Sequence, residues 1–226
     1  MSSTRDRQKR FGSYSPSDES NSSEKFVDAY FSADVETDGP IPGPYSILSL
    51  ALVYAGRFDG THFERPKDLE LTFYRELKPI SDSFEPEALL VNGLDREQLI
   101  KAGQAPNRVM SDASQWVRNV AGSNKPVLVA YPLSFDWSWL YWYFVRFSDS
   151  GSPFGYSRCF DIKTAVAVKT RLAIANAGRS QLPQKLRSAR KHSHNALDDA
   201  IEQAEIFAKV FELGGTDGRG PRNSSK

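Results

Sequence analysis

Three apolar stretches bounded by turn residues, all in the first third of the chain, constrain the fold most tightly. In VDAYFSADVE (27–36), Phe31, Ala33 and Val35 alternate with Ser32, Asp34 and Glu36. A period of two is the signature of an extended strand with two unlike faces. TDGPIPGP (37–44) breaks it with glycine and proline. YSILSLALVYAG (45–56) reads as a second, more buried strand, and LELTFYREL (69–77) as a third. The short turn-rich links predict an antiparallel meander. Helical patterns follow over Asp95–Ala102 and Pro106–Ala121, then a buried strand at PVLVAY (126–131). Ser134–Phe147, the region around Asp161–Arg171 and a closing segment from Asn195 read as further helices, the last stopped by Gly214 and Gly215. Strands first and then strand mixed with helices predict an α/β fold, a mixed sheet flanked by helices.

One globular unit, residues 26–213, is expected between two polar segments. Residues 1–25 and 214–226 are rich in Ser, Arg, Asp and Gly and carry too few apolar side chains to offset their ordering entropy, so both are expected to be disordered. The 29 basic and 28 acidic side chains leave a formal charge of +1, so net charge selects no class of partner. Cys159 is the single cysteine, which rules out an internal disulfide framework and a cysteine-based zinc site. The polar amino-terminal segment lacks the apolar core of a secretory signal, and the apolar run around 47–55 is too short to span a bilayer. The expectation is a soluble cytoplasmic protein with no membrane association.

Carboxylates supply the candidate chemistry. Asp34 and Glu36, two apart on a strand, share a face and can reach one cation; the same pattern also suits a solvent-facing strand end. Asp136 stands where a helix begins, where the helix dipole favours an acid whatever its function. The aromatic run from Trp137 to Phe144 suits core packing better than a base-stacking platform. On a helical wheel, Leu197, Ala200, Ile201, Ala204, Phe207, Ala208 and Phe211 form the apolar face of the closing helix, and Asp198, Glu202, Glu205, Lys209 and Glu212 the solvated one. Asp199 falls on the apolar flank with Gln203, Ile206 and Val210. A carboxylate facing the interior needs a partner, because an unpaired buried charge costs several kcal/mol. Asn195 is the expected N-cap, with Asp198 in a near capping box, which leaves His194 just outside the helix.

Taken together and in order, DVETDG (34–39), the aspartate of YPLSFDWSWL (Asp136) and HNALDDA (194–200) resemble the three motifs of the DEDDh 3′–5′ exonucleases, the DnaQ-like group of the ribonuclease H-like fold. The resemblance spans about residues 26–212 and selects His194 and Asp199 over His192 and Asp198. It implies a ribonuclease H-like sheet and a two-metal hydrolysis releasing nucleoside 5′-monophosphates from a 3′ end. Asp34, Glu36, Asp136 and Asp199 would bind two divalent ions, Mg²⁺ or Mn²⁺, and neutral His194 would act as general base. Thr37 would contact the terminal nucleotide. Many relatives have His-Asn ahead of the second motif, where this chain has Tyr131 and Pro132.

Charge distribution agrees with a nucleic-acid substrate. No acidic residue lies between Asp161 and Asp198, whereas Lys163, Lys169, Arg171, Arg179, Lys185, Arg187, Arg190 and Lys191 do. Arg187, Arg190 and Lys191, leading into His194, are the expected contacts to the phosphates of single-stranded DNA or RNA. A non-catalytic nucleic-acid-binding or accessory subunit is the competing reading; a protein partner or a homodimer stays open.

Overall fold

The computed structural model describes residues 27–190 and 192–213. Both expected disordered segments, and Lys191, lie outside the described residues. Six strands form one sheet: β1 (Asp28–Thr37), β2 (Ile47–Phe58), β3 (Phe63–Glu64), β4 (Thr72–Glu76), β5 (Lys125–Ala130) and β6 (Cys159–Asp161). The helices are α1 (Pro86–Asn92), α2 (Arg96–Ala102), α3 (Pro106–Ala121), α4 (Leu133–Phe147), α5 (Ile162–Thr170) and α6 (Ala196–Glu212). The sheet order is β3-β2-β1-β5-β6, and β4 also pairs with β2. β2 lies antiparallel to β1, β3 and β4. β5 lies parallel to β1, and β6 parallel to β5. The expected mixed sheet is therefore present, an antiparallel meander with parallel strands beside it. The two-residue β3, the three-residue β6 and the seven-residue α1 are too short to carry a periodic signal, and the sequence pattern missed them.

The central strand β1 is buried on both faces. Phe31, Ala33 and Val35 pack with Val109, Met110 and Val117 of α3 and with Trp139, Leu140 and Phe144 of α4. The opposite face lies under α5 and α6, where Tyr30 joins Val166, Ala200, Ala204 and Phe207. The Ser32–Asp34 face is therefore covered by helix rather than by water. The aromatic run of α4 is mainly core: Trp139, Tyr143 and Phe144 are fully buried. Each such side chain contributes roughly 1.5–3 kcal/mol by leaving water.

α6 sits rotated from its expected orientation. Glu202, expected on the solvated face, is buried, while Leu197, Ile201 and Phe211 are only partly covered. The helix lies on the sheet through Ala196, Asp199, Ala200, Gln203, Phe207 and Val210. The wheel found Asp199 and Gln203 on this line but not the burial of Glu202, which pairs with Arg179 from the loop after α5. Asn195 is the N-cap, accepting from the N–H groups of Leu197 and Asp198. Asp198 does not complete a capping box; its carboxylate accepts from Ser193 Oγ at 3.5 Å.

A buried ion pair fixes the end of β1. Asp38 is fully buried and accepts from Arg96 Nε at 3.0 Å. Its other carboxylate oxygen accepts from Ser46 N–H, and its carbonyl accepts from Glu85 N–H at 2.8 Å. Arg96 also donates to the Ser81 carbonyl and stacks over Phe84. Gly39, next in the motif, has no room for a side chain: a Cβ there would lie 2.1 Å from the Tyr45 ring. This knot ties the GPIPGP loop and α1–α2 to the residues that follow Glu36. Removing one partner of a buried ion pair leaves an uncompensated charge. Arg96→Ala is expected to lower unfolding stability by about 3–5 kcal/mol, read from urea denaturation; a loss under about 1 kcal/mol, the value of an exposed pair, would show that the pair does not hold the turn.

Candidate active site

Three elements bring the predicted carboxylates together: Asp34, Glu36 and Asp136 line a cavity of about 370 Å³, and Asp199 is buried beside it. Asp34 and Glu36 leave β1 on the same side, just before a register shift at Glu36/Thr37. Asp136, in the first turn of α4, accepts from the N–H of Val35 at 3.2 Å, so it is anchored to the backbone between the two acids. Asp199 projects from the first turn of α6 and has no exposed surface. Carboxylate oxygens of Asp34, Glu36 and Asp199 lie within 4.8 Å of one another. Asp136 lines the same cavity outside that close set.

Two histidines stand at the mouth, both exposed. His194 has a φ of 54°, the left-handed region that few side chains adopt. This reversal turns the chain immediately before the Asn195 cap, and the His192 and His194 ring centroids come within 4.4 Å. His192 Nδ1 is 2.9 Å from Asp199 Oδ1, which also accepts from Ser193 N–H at 2.9 Å. Asp199 Oδ2 is buried with no hydrogen-bond donor. The close partner of Asp199 among the histidines is therefore His192, while His194 faces the cavity.

Three further side chains complete the site. Gln203, one turn after Asp199, donates to Asp34 Oδ1 at 2.7 Å and is fully buried. The i, i+4 spacing from Asp199 was its only sequence signal. Arg179, from the loop after α5, lines the cavity and lies 3.2 Å from Glu202 Oε2. It also donates to the Tyr131 carbonyl at 3.3 Å and stacks over the Tyr131 ring. The Tyr131 hydroxyl donates to the Ala177 carbonyl at 2.6 Å. Tyr131, ahead of the second motif, thus holds the Arg179 loop. Nothing in local sequence distinguished Arg179 from its basic neighbours.

The remaining predicted contacts are dispersed. Thr37 Oγ1 donates to the Gly39 carbonyl at 2.8 Å, closing the turn, and Thr37 lines an adjoining cavity with Glu36, Val91 and Phe135. Arg187 donates to the Leu182 carbonyl at 2.8 Å, and Arg190 pairs with Glu205 at 3.2 Å. Both border a neighbouring groove that shares Arg179 and Glu202 with the site.

Comparisons with known proteins identify the fold and the family. Solved structures with the same fold include exonucleases. The nuclease domain of 3′hExo, a DEDDh family member bound to rAMP, aligns with a TM-score of 0.61 at 14% identity, over 85% of this chain and 95% of that one. Escherichia coli Exonuclease I in complex with a dT13 oligonucleotide aligns with a TM-score of 0.57 at 15% identity; the match covers 82% of this chain but only 40% of that one. The model of the 3′–5′ exoribonuclease Rv2179c-like domain matches residues 92–211, which include Asp136, His194 and Asp199. The 3′–5′ DNA exonuclease Cap18 of Escherichia coli is 35% identical over 186 residues, 81% of this chain and 92% of that protein. The chain belongs to the Rv2179c-like family of 3′–5′ exonucleases.

Burial, and after it the crowding of the acids, raises their affinity for protons. Burial, and then the neighbouring charges of Asp136, Glu36 and Asp199, push Asp34 well above the ordinary carboxylate range. Burial and Asp199 push Glu36 up to about 7, against the opposing Arg179. Burial pushes Asp136 up to about 7 against the Val35 N–H and Arg179. Unfolded carboxyls titrate near 4. The folded protein therefore holds protons that the unfolded chain has released, and this stabilisation is complete below about pH 4 and lost as pH rises through about 7. In EDTA the thermal midpoint should fall between about pH 5 and 8, and an added divalent cation should restore it at the alkaline end. A midpoint that rises across this interval without cation would contradict the arrangement.

Proposed function

We propose that this exonuclease is metal-dependent and removes nucleoside 5′-monophosphates from the 3′ end of single-stranded DNA. The observation that carries the reading is the convergence of four carboxylates with the buried, donor-less Oδ2 of Asp199. Four acids cannot all ionise in so small a space unless cations balance them. Their all-oxygen donor set suits hard ions such as Mg²⁺ or Mn²⁺. Asp34, Glu36, Asp136 and Asp199 would hold two of them. When bound, the ions would supply Lewis acidity at the water nucleophile and at the leaving 3′ oxygen.

The chain's own residues do the rest. Gln203 holds Asp34 at one oxygen, and the Val35 N–H does the same for Asp136, so these two ligands are aimed before any substrate arrives. His194, exposed at the cavity mouth, accepts the proton of the attacking water as general base. Thr37 and Phe135 border the cavity beside Glu36, where the terminal nucleotide would lie. Arg179 opens onto the groove of Arg187 and Arg190, a path along which the phosphates of the incoming strand meet positive charge. Lys191 would extend it. The choice of deoxyribose rests on the likeness to a DNA exonuclease over most of its length.

Paired 5′-labelled DNA and RNA strands of one sequence test this. With Mg²⁺ or Mn²⁺, DNA should shorten stepwise from its 3′ end, faster than RNA. EDTA and Asp34→Ala should abolish the ladder, and His194→Ala should slow it by about 100–10,000-fold, the usual contribution of a general base. Wild-type turnover in Asp34→Ala would remove the metal assignment, and faster RNA decay would reverse the sugar preference. Charge reversal at Arg187 and Arg190 should weaken strand binding and flatten its log–log salt slope by roughly 1.4, the share of two phosphate contacts on a single strand. Equal binding across salt concentrations would take both arginines out of the path.

A further inference from the structure

We propose a second cation site, selective for a borderline transition metal such as Zn²⁺, formed by His192, His194 and Asp199, whose occupation switches the nuclease off. The inference rests in part on the reading of His194 as general base.

Ligand atoms of these three residues lie within 4.8 Å of one another. The set shares only Asp199 with the close acidic trio of Asp34, Glu36 and Asp199. Its chemistry is different. Two imidazoles and one carboxylate suit Zn²⁺ and other late first-row ions, while Mg²⁺ prefers oxygen alone. Three protein ligands with one open position are a common zinc arrangement.

The geometry is partly assembled. His192 Nδ1 already contacts Asp199 Oδ1, and the left-handed backbone at His194 brings its ring against that of His192. Asp199 is fully buried, and its Oδ2 lacks a donor. Both imidazoles are exposed, so they can turn onto an ion without disturbing the core. Two neighbours bear on the charge. The Arg179 guanidinium sits against His192 Nδ1 and opposes a cation, while Glu202 Oε2, 3.9 Å from that nitrogen, favours one. Arg179 already pairs with Glu202, so a small shift toward it clears the site.

A zinc ion there would occupy the lone pair through which His194 takes a proton. It would also draw Asp199 away from the catalytic cations. Inhibition then follows without any blockage of the strand path. His192 is a proposed ligand of the second site only, and it separates the two sites although it also contacts Asp199.

The test uses the full chain and His192→Gln. Without nucleic acid, Co²⁺ added to wild type should give the intense visible absorption of four-coordinate cobalt, which Zn²⁺ displaces. His192→Gln should lose that band and bind Zn²⁺ on the order of 100-fold more weakly, at least the cost of losing an outer-shell partner. In the Mg²⁺-supported reaction, each protein's turnover is compared with its own zinc-free rate, and His192→Gln should keep a larger fraction of that rate at a given Zn²⁺ concentration than wild type. Equal cobalt spectra and equal zinc affinity in the two proteins would overturn the site. Zinc binding that depends on His192 in a chain without nuclease activity would keep the site and reject the proposed function; hydrolysis insensitive to zinc and to His192 would do the reverse.

Discussion

The placement of Asp199 beneath α6, against the Asp34 face of β1, is the constraint around which the rest is arranged. A buried carboxylate costs several kcal/mol unless something compensates it. Here Ser193 N–H and His192 serve one oxygen, and the other is buried without a hydrogen-bond donor. The fold can sustain this because the surrounding helix is otherwise well packed. Phe207, Ile206 and Val210 on the same helix are buried, and each contributes roughly 1.5–3 kcal/mol. Stability supplied by the lower turns of α6 thus offsets the strained charge balance at its first turn.

The same logic explains the polar residues around the acids. Gln203 holds Asp34, Val35 N–H holds Asp136, and Arg179 counters Asp34, Glu36 and Asp136 together. A neutral amide, a backbone N–H and a guanidinium each reduce repulsion without occupying the space between the carboxylates. On the proposed reading the site is preorganised for cations: the fold holds the donor atoms, and bound ions would supply the balancing charge. At the other end of β1, the Asp38–Arg96 pair serves a mechanical purpose. It anchors the turn after Glu36 to α2, so the strand end that carries two site acids cannot fray independently of the loop beside it.

Much of the fold was legible because the long elements obey a single period. The alternation of β1, the apolar length of β2 and the spacings of α3 and α4 all survive in the structure. Short elements were lost because two to seven residues hold less than a readable period. The helical wheel of α6 singled out Asp199 as inward-facing yet misplaced Glu202. Hydropathy ranks both as exposed; only for Asp199 did apolar neighbours on the same stripe contradict that ranking. No described helix is long and apolar enough to cross a membrane, in line with the expectation from the apolar runs.

Sequence alone determined the order of the long strands and helices, the three motifs and the register that favours Asp199 over Asp198. These are local properties: a period, a spacing, a residue type at a turn. Tertiary structure decided that β1 is covered on both faces, that Gln203 reaches Asp34 across 169 positions of sequence, and that Arg179 enters the site while Arg187 and Arg190 stay outside it. It also decided which histidine lies against Asp199. Such choices depend on where a loop crosses and how a helix is rotated on its sheet. Both are set by the packing of distant side chains, for which the neighbouring residues in the chain carry no code.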